Sequence, residues 1–208
     1  MESNPFCSRN IRPGAVPFLF PAGEDCGAVI ARLQASGWWG QITGGHGTGK
    51  SALLAALLPA LQCAGHKPLV IELHDGQRAL RRDAWMTLRQ TNHSLVVVDG
   101  YEQLSRWSRF RLKRLCRSRG FGLLVTAHGA VGLPPIYHTA LTATAAEQIV
   151  QQFLAGGPAL FTSAEFLASF ERHGGNLRET LFDLYDLCER RRPASVSKSE
   201  AIKRVSNS

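Results

Sequence analysis

The chain has 208 residues, 44% hydrophobic and 19% charged, which argues for a soluble globular protein with one good core and room for a small appended subdomain. Its 24 basic and 16 acidic side chains leave a formal charge of +8, suited to anionic partners: nucleotides, nucleic acid or an acidic protein face. No apolar run approaches the roughly 20 residues that span a bilayer, the opening MESNPFCSRNIRPG has no signal-peptide pattern, and Cys7, Cys26, Cys63, Cys116 and Cys188 show no zinc spacing, so a cytoplasmic protein with reduced thiols and no membrane contact is expected.

Residues 1–35 read as an arm followed by a helix. Four prolines before residue 24 forbid a regular element there, and Asp25 is placed to cap a helix through GAVIARLQASG. WWGQIT is expected as the first strand. The glycine-rich stretch GGHGTGK follows, then a helix from about Ser51 to Ala64, apolar nearly all round and so expected to be buried. KPLVIELHD is a second strand, again expected to be buried, and a polar helical stretch covers Arg78 to Gln90. SLVVVDG is a third strand, an arginine-rich helix covers Gln103 to Arg119, and FGLLVTAH is a fourth strand. A weaker fifth strand is expected near ALTAT at 140–144. Strands that alternate with helices and are apolar on both faces imply α/β architecture, with a parallel sheet covered on both sides. From Ala146 to Arg192 the pattern changes to three helices, which read as a small helical subdomain, and 193–208 is a polar tail. The division is therefore 1–35 arm and helix, 36–145 core, 146–192 helical subdomain and 193–208 tail.

Gly44, Gly49, Lys50 and Ser51 fit G-x-x-x-x-G-K-[ST], with Gly45, His46, Gly47 and Thr48 between them and Ala52 opening the helix. Glycines let backbone N–H groups curl around an anion, Lys50 reaches β and γ phosphates, Ser51 can ligate Mg²⁺, and the helix N-terminus adds its positive end. ATP and Mg²⁺ are the expected ligands. A second acid for the metal belongs at the end of a buried strand, where Leu95–Val98 lead into Asp99.

GGHGTGKS with LVVVDGYE, a polar strand end in LLVTAH and GGNLRE in the helical tail resemble P-loop ATPases of the AAA+ and STAND kind. The resemblance covers about residues 36–192. It implies a three-layer P-loop NTPase with a parallel five-stranded sheet of order 5-1-4-3-2 and a C-terminal helical lid. It also implies Walker A roles for Lys50 and Ser51, a Walker B role for Asp99, a sensor at Thr126 or His128, and a lid arginine at Arg178 that touches the γ phosphate. AAA+ enzymes usually place Glu directly after the Walker B Asp. Here that position is Gly100, and Glu102 in DGYE is the candidate for polarising water. The expectation is thus an ATPase coupling nucleotide state to lid position and partner binding. Two alternatives stay open: an interaction module that holds ATP with little turnover, and a small-molecule kinase.

SRWSRFRLKRLCRSRG carries seven basic residues and no acid. Helical spacing groups Arg106, Arg109, Lys113 and Arg117 within about a quarter-turn and leaves Leu104, Leu112 and Leu115 for the sheet. Helix 106–119 is either a solvated face, a contact to nucleic-acid phosphates, or a source of arginine for a neighbouring subunit's nucleotide; a protein partner or homo-oligomer also remains open.

Overall fold

The computed structural model describes residues 18–74, 76–90, 93–153 and 161–191, so most of the expected arm and the expected tail lie outside the described residues. In chain order the elements are α1 (Cys26–Ala35), β1 (Trp39–Gly44), α2 (Lys50–Cys63), β2 (Pro68–Glu72), α3 (Arg82–Gln90), β3 (Leu95–Asp99), a 3₁₀ turn (Tyr101–Gln103), α4 (Arg106–Arg119), β4 (Gly122–Ala127), β5 (Pro135–Thr139), α5 (Ala143–Phe153), α6 (Ser163–Arg172) and α7 (Leu177–Arg191). Asp25 caps α1 by accepting from the Ala28 N–H at 2.7 Å.

All strand pairs are parallel, in the order β2-β3-β4-β1-β5. This is the expected order read from the other edge. Along β3, Leu95 and Val97 join the core under α1 and α2, whereas Val96 and Val98 join the core under α3 and α4. Successive side chains point to opposite faces, and both faces are covered, which is why LVVV is apolar without alternation.

Three expectations need correction. The fifth strand is Pro135–Thr139, and residues 143–144 already belong to α5. β5 opens on Pro135 because it is an edge strand, where a residue without an N–H is tolerated at the start, and the Pro134 carbonyl accepts from Gln41 N–H at 2.8 Å. β2 is the opposite edge, so it is only half-buried, with Val70 exposed. In α2 only Leu53, Leu54, Leu57 and Leu61 are buried, and Ala55 and Pro59 face water.

The chain divides into two compact units, one ending at Thr142 and one beginning at Ala143. In the second, Thr162 and Glu165 form a capping box at the start of α6, and Asp183 of α7 accepts from Ser169 and Arg172, each at 2.6 Å. Phe166, Phe170, Leu177, Leu181, Leu184 and Cys188 are buried within these helices.

Candidate functional site

Parallel strands put their carboxyl ends on one edge, and the chain leaves β1 for β2 by passing over two strands. Such a switch point is where open α/β sheets form a ligand crevice. The loop 45–49 sits there. Gly44 is required by close approach: a Cβ would lie 2.1 Å from Thr139 Oγ1 and 2.5 Å from the Thr139 carbonyl. Gly49, at φ +95°, turns the chain into α2, whose N-terminus has no side-chain cap. The first-turn N–H groups of α2 are therefore available to an anion. Thr48 Oγ1 braces the loop on the Gly45 carbonyl at 2.9 Å and on Thr139 Oγ1 at 2.7 Å.

Lys50 curls back over the loop, donating to the carbonyls of Gly44 at 2.9 Å and Gly45 at 2.6 Å. Burial lowers its pKa from the ordinary lysine value, against the opposing pull of Glu102 and Asp99. Ser51 Oγ donates to Asp99 Oδ2 at 2.6 Å. Thr126 is wholly buried; its hydroxyl donates to the other Asp99 oxygen and accepts from the Gly100 N–H at 2.8 Å. The sequence puts Thr126 near the ligand, and the structure gives its hydroxyl to Asp99.

His128, just past β4, faces the loop. Its ring lies 3.7 Å from that of His46, centroid to centroid, its Nδ1 lies 3.2 Å from Lys50 Nζ and 3.3 Å from the Gly44 carbonyl, and its Nε2 lies 3.0 Å from Glu102 Oε1. With Nδ1 accepting from Lys50, Nε2 carries the ring proton and donates to Glu102. The second oxygen of Glu102 is buried without a hydrogen-bond partner. Gly100, at φ +79°, makes the turn that swings the 3₁₀ segment so that Glu102, rather than residue 100, points at this cluster. Lys50, Ser51, Asp99, Glu102 and His128 are thus assembled from the ends of three neighbouring strands.

Similarity searches give no matching family model and no matching curated protein. Among solved structures 44 chains are similar. One is AMPPCP-bound DnaA from Aquifex aeolicus, at TM-score 0.53 and 15% identity over 90% of this chain and 67% of that one. The fold is P-loop NTPase-like. At that identity the likeness concerns the architecture alone, in which the neighbouring parallel strands β3, β4 and β1 bring the glycine loop, the β3 end and the β4 end together.

Arg178 belongs to the second unit, near the start of α7. There its N–H donates to Asn176 Oδ1 at 3.1 Å, and its guanidinium lies 5.9 Å from the Phe182 ring centroid. Sequence reading missed two supports of the site, one under the loop and one beyond His128. Thr139 was hidden by the misplaced fifth strand. Gln41 is buried in β1, and its Oε1 accepts from the Val131 and Leu133 N–H groups at 2.9 and 3.3 Å, tying down the segment beyond His128. A polar residue amid WWGQIT was the available signal.

Proposed function

We propose that this protein binds Mg-ATP at the loop 44–51 and hydrolyses it, with Glu102 as the group that takes the proton from the attacking water. The observation that carries the reading is the side-chain chain Lys50–His128–Glu102 beside the Ser51–Asp99 pair. Backbone N–H groups of the loop and of the first turn of α2 would hold the phosphates, and Lys50 would exchange its two carbonyl acceptors for phosphate oxygens.

The donor set fits a magnesium ion. Ser51 and Asp99 present hard oxygen ligands, and Mg²⁺ takes one or two protein oxygens with phosphates and water. Among the described residues no cluster of three His, Cys, Asp or Glu side chains could hold a metal alone, in keeping with an ion that needs the triphosphate. When bound, the ion supplies charge neutralisation on the β and γ phosphates. Thr126 keeps Asp99 oriented. Glu102 is held at one oxygen by His128; its other oxygen, buried and without a hydrogen-bond partner, would have to turn toward the γ phosphate to take the proton from water. Water attack at the γ phosphorus breaks the bond to the β-phosphate oxygen and releases ADP and phosphate.

A second reading has its own observation: the Glu102 oxygen that His128 leaves free is buried away from water. His128 and Lys50 hold Glu102 in a closed polar chain, and a chain that survives ligand binding would give a nucleotide-holding module with little turnover. Phosphate release with Mg-ATP, measured beside ATP affinity in the parent and Glu102→Gln, separates the two. Hydrolysis predicts turnover in the parent, a loss of about a hundredfold or more in the variant, and unchanged affinity. A parent that binds ATP and releases no phosphate establishes the module; a variant that turns over like the parent removes Glu102 from the role.

A further inference from the structure

The basic helix α4 sorts its charges in a way that spacing alone misassigns. Arg109, Lys113 and Arg117, three of the four residues grouped by helical spacing, are occupied by the protein. Arg109 donates to the carbonyls of Leu104 at 2.8 Å and Glu102 at 2.6 Å, Lys113 lies 3.4 Å from the carbonyls of Val131 and Gly132, and the Arg117 guanidinium covers the Trp39 ring at 5.3 Å. The outward stripe is different: Arg106, Trp107, Phe110, Arg111 and Arg114, neighbours at i+3 and i+4 spacing.

Two large aromatic rings stand in water on this stripe. Trp107 is 66% exposed and Phe110 53%, with centroids 5.7 Å apart and planes 24° from parallel. Such side chains are the ones most readily buried in a core or an interface, so a pair left outside marks a contact surface. Beside them the Arg111 guanidinium lies 4.9 Å from the ring centroid of Trp85 on α3, a cation laid on an aromatic face. Exposed Arg106 and Arg114 flank the rings, and α4 contains no acid. An apolar protein patch would leave these cations without counter-charge. A duplex would meet the cations but hides its base faces. A single strand uses both features together, bases on the rings and phosphates on the arginines.

We propose that the outer face of α4 binds single-stranded nucleic acid by stacking bases on Trp107 and Phe110, with Arg106 and Arg114 on the flanking phosphates. The binding requires no nucleotide in the loop 44–51, and so stands apart from the ATPase reading.

Fluorescence anisotropy of the full chain, without ATP, tests this with labelled oligothymidylate and oligouridylate of about 20 nucleotides, a duplex of the same length, and phosphatidylserine vesicles in a cosedimentation arm. The expected result is binding to either or both single strands, tighter than to the duplex. Trp107→Ala/Phe110→Ala should weaken it about tenfold or more, since stacking contributes roughly 1–3 kcal/mol per base. Arg106→Glu/Arg114→Glu should flatten the salt dependence by about 1.4 in log–log slope for two phosphate contacts. Trp107→Phe should retain most of the affinity, and circular dichroism confirms that these surface variants fold. The proposal is overturned by an aromatic double variant that binds as the parent does, by duplex binding equal to or tighter than single-strand binding, or by a parent that takes only vesicles or neither ligand.

Discussion

Gly100 stands where the resembled enzymes carry a catalytic Glu, and its backbone explains the departure. Its φ of +79° lies in the left-handed region, and a Cβ would sit 3.0 Å from the Leu73 carbonyl. Gly100→Glu should therefore cost stability, about 1–2 kcal/mol from the backbone alone, and should lower rather than raise phosphate release, because it disturbs the turn that presents Glu102. A thermal melt with a turnover assay checks both; a variant as stable as the parent and more active would show that residue 100 is the water-polarising position. Lys50 gives a pH prediction. Burial lowers its pKa, and its ammonium form is the one that attracts phosphate, so Mg-ATP affinity should fall as pH rises through a value below that of ordinary lysine. Bound phosphate raises that pKa again, so binding near it should take up a proton, measurable by titration calorimetry in buffers of different ionisation enthalpy. For folding the sign is opposite: the depressed pKa means that stability contributed at this site rises as pH climbs through it. Most of this cluster was legible because spacing carries the glycine loop, Lys50, Ser51 and Asp99 directly. The pairing of His128 with Glu102 was not, since it depends on a positive φ at Gly100 and on strand register.

Elements at the two edges of the sheet are the ones that periodicity described least well. β3 and β4, covered on both faces, are continuous apolar runs and were bounded within a residue or two, whereas β2 exposes Val70 and β5 opens on proline. Pattern reports burial, and edge strands are partly unburied. α4 likewise begins at Arg106 rather than at the expected Gln103, because Ser105 caps it by accepting from the Ser108 N–H at 3.2 Å, and the residues before it form a separate 3₁₀ turn. In the helical unit, α6 starts at a reciprocal cap: Glu165 N–H donates to Thr162 Oγ1 at 3.3 Å and Thr162 N–H to Glu165 Oε2 at 2.8 Å. Thr162→Ala should lower the stability of this unit by about 1 kcal/mol, and Thr162→Ser should restore most of it, as read from denaturant midpoints by helix signal. The hydrogen bond from Arg191, and after it the Thr162 N–H, hold the Glu165 carboxyl at about 2. A depressed carboxyl pKa stabilises above the unfolded value and stops doing so as pH falls through the folded one, so the difference between parent and Glu165→Gln should shrink on acidification below the ordinary carboxylate range.

At the scale of the whole molecule, the proposed nucleotide site exists only when the sheet exists. Ser51 and Asp99 are 48 residues apart in sequence, Lys50 and His128 are 78 apart, and each pair meets through the parallel register of β1, β3 and β4. An unfolded chain retains the glycine-rich loop but neither pair, so ligand affinity should belong to the folded state. Linkage then makes Mg-ATP a stabiliser of roughly 2.7 kcal/mol at a hundred times its dissociation constant. For a domain of this size that is a rise of several degrees in melting temperature, growing with the logarithm of ligand concentration. The dependence on each component distinguishes this site from a general anion effect. ATP with a chelator should stabilise less than Mg-ATP, because Ser51 and Asp99 contribute through the ion; inorganic sulfate should stabilise little; and Lys50→Ala should lose most of the shift while melting near the parent temperature without ligand. Asp99→Asn should lose the magnesium-dependent part and keep the rest. A Lys50→Ala protein that gains as much as the parent from Mg-ATP would place the nucleotide away from the glycine loop. A parent that gains nothing at any concentration would mean that these strand ends, although arranged as in P-loop proteins, hold no triphosphate.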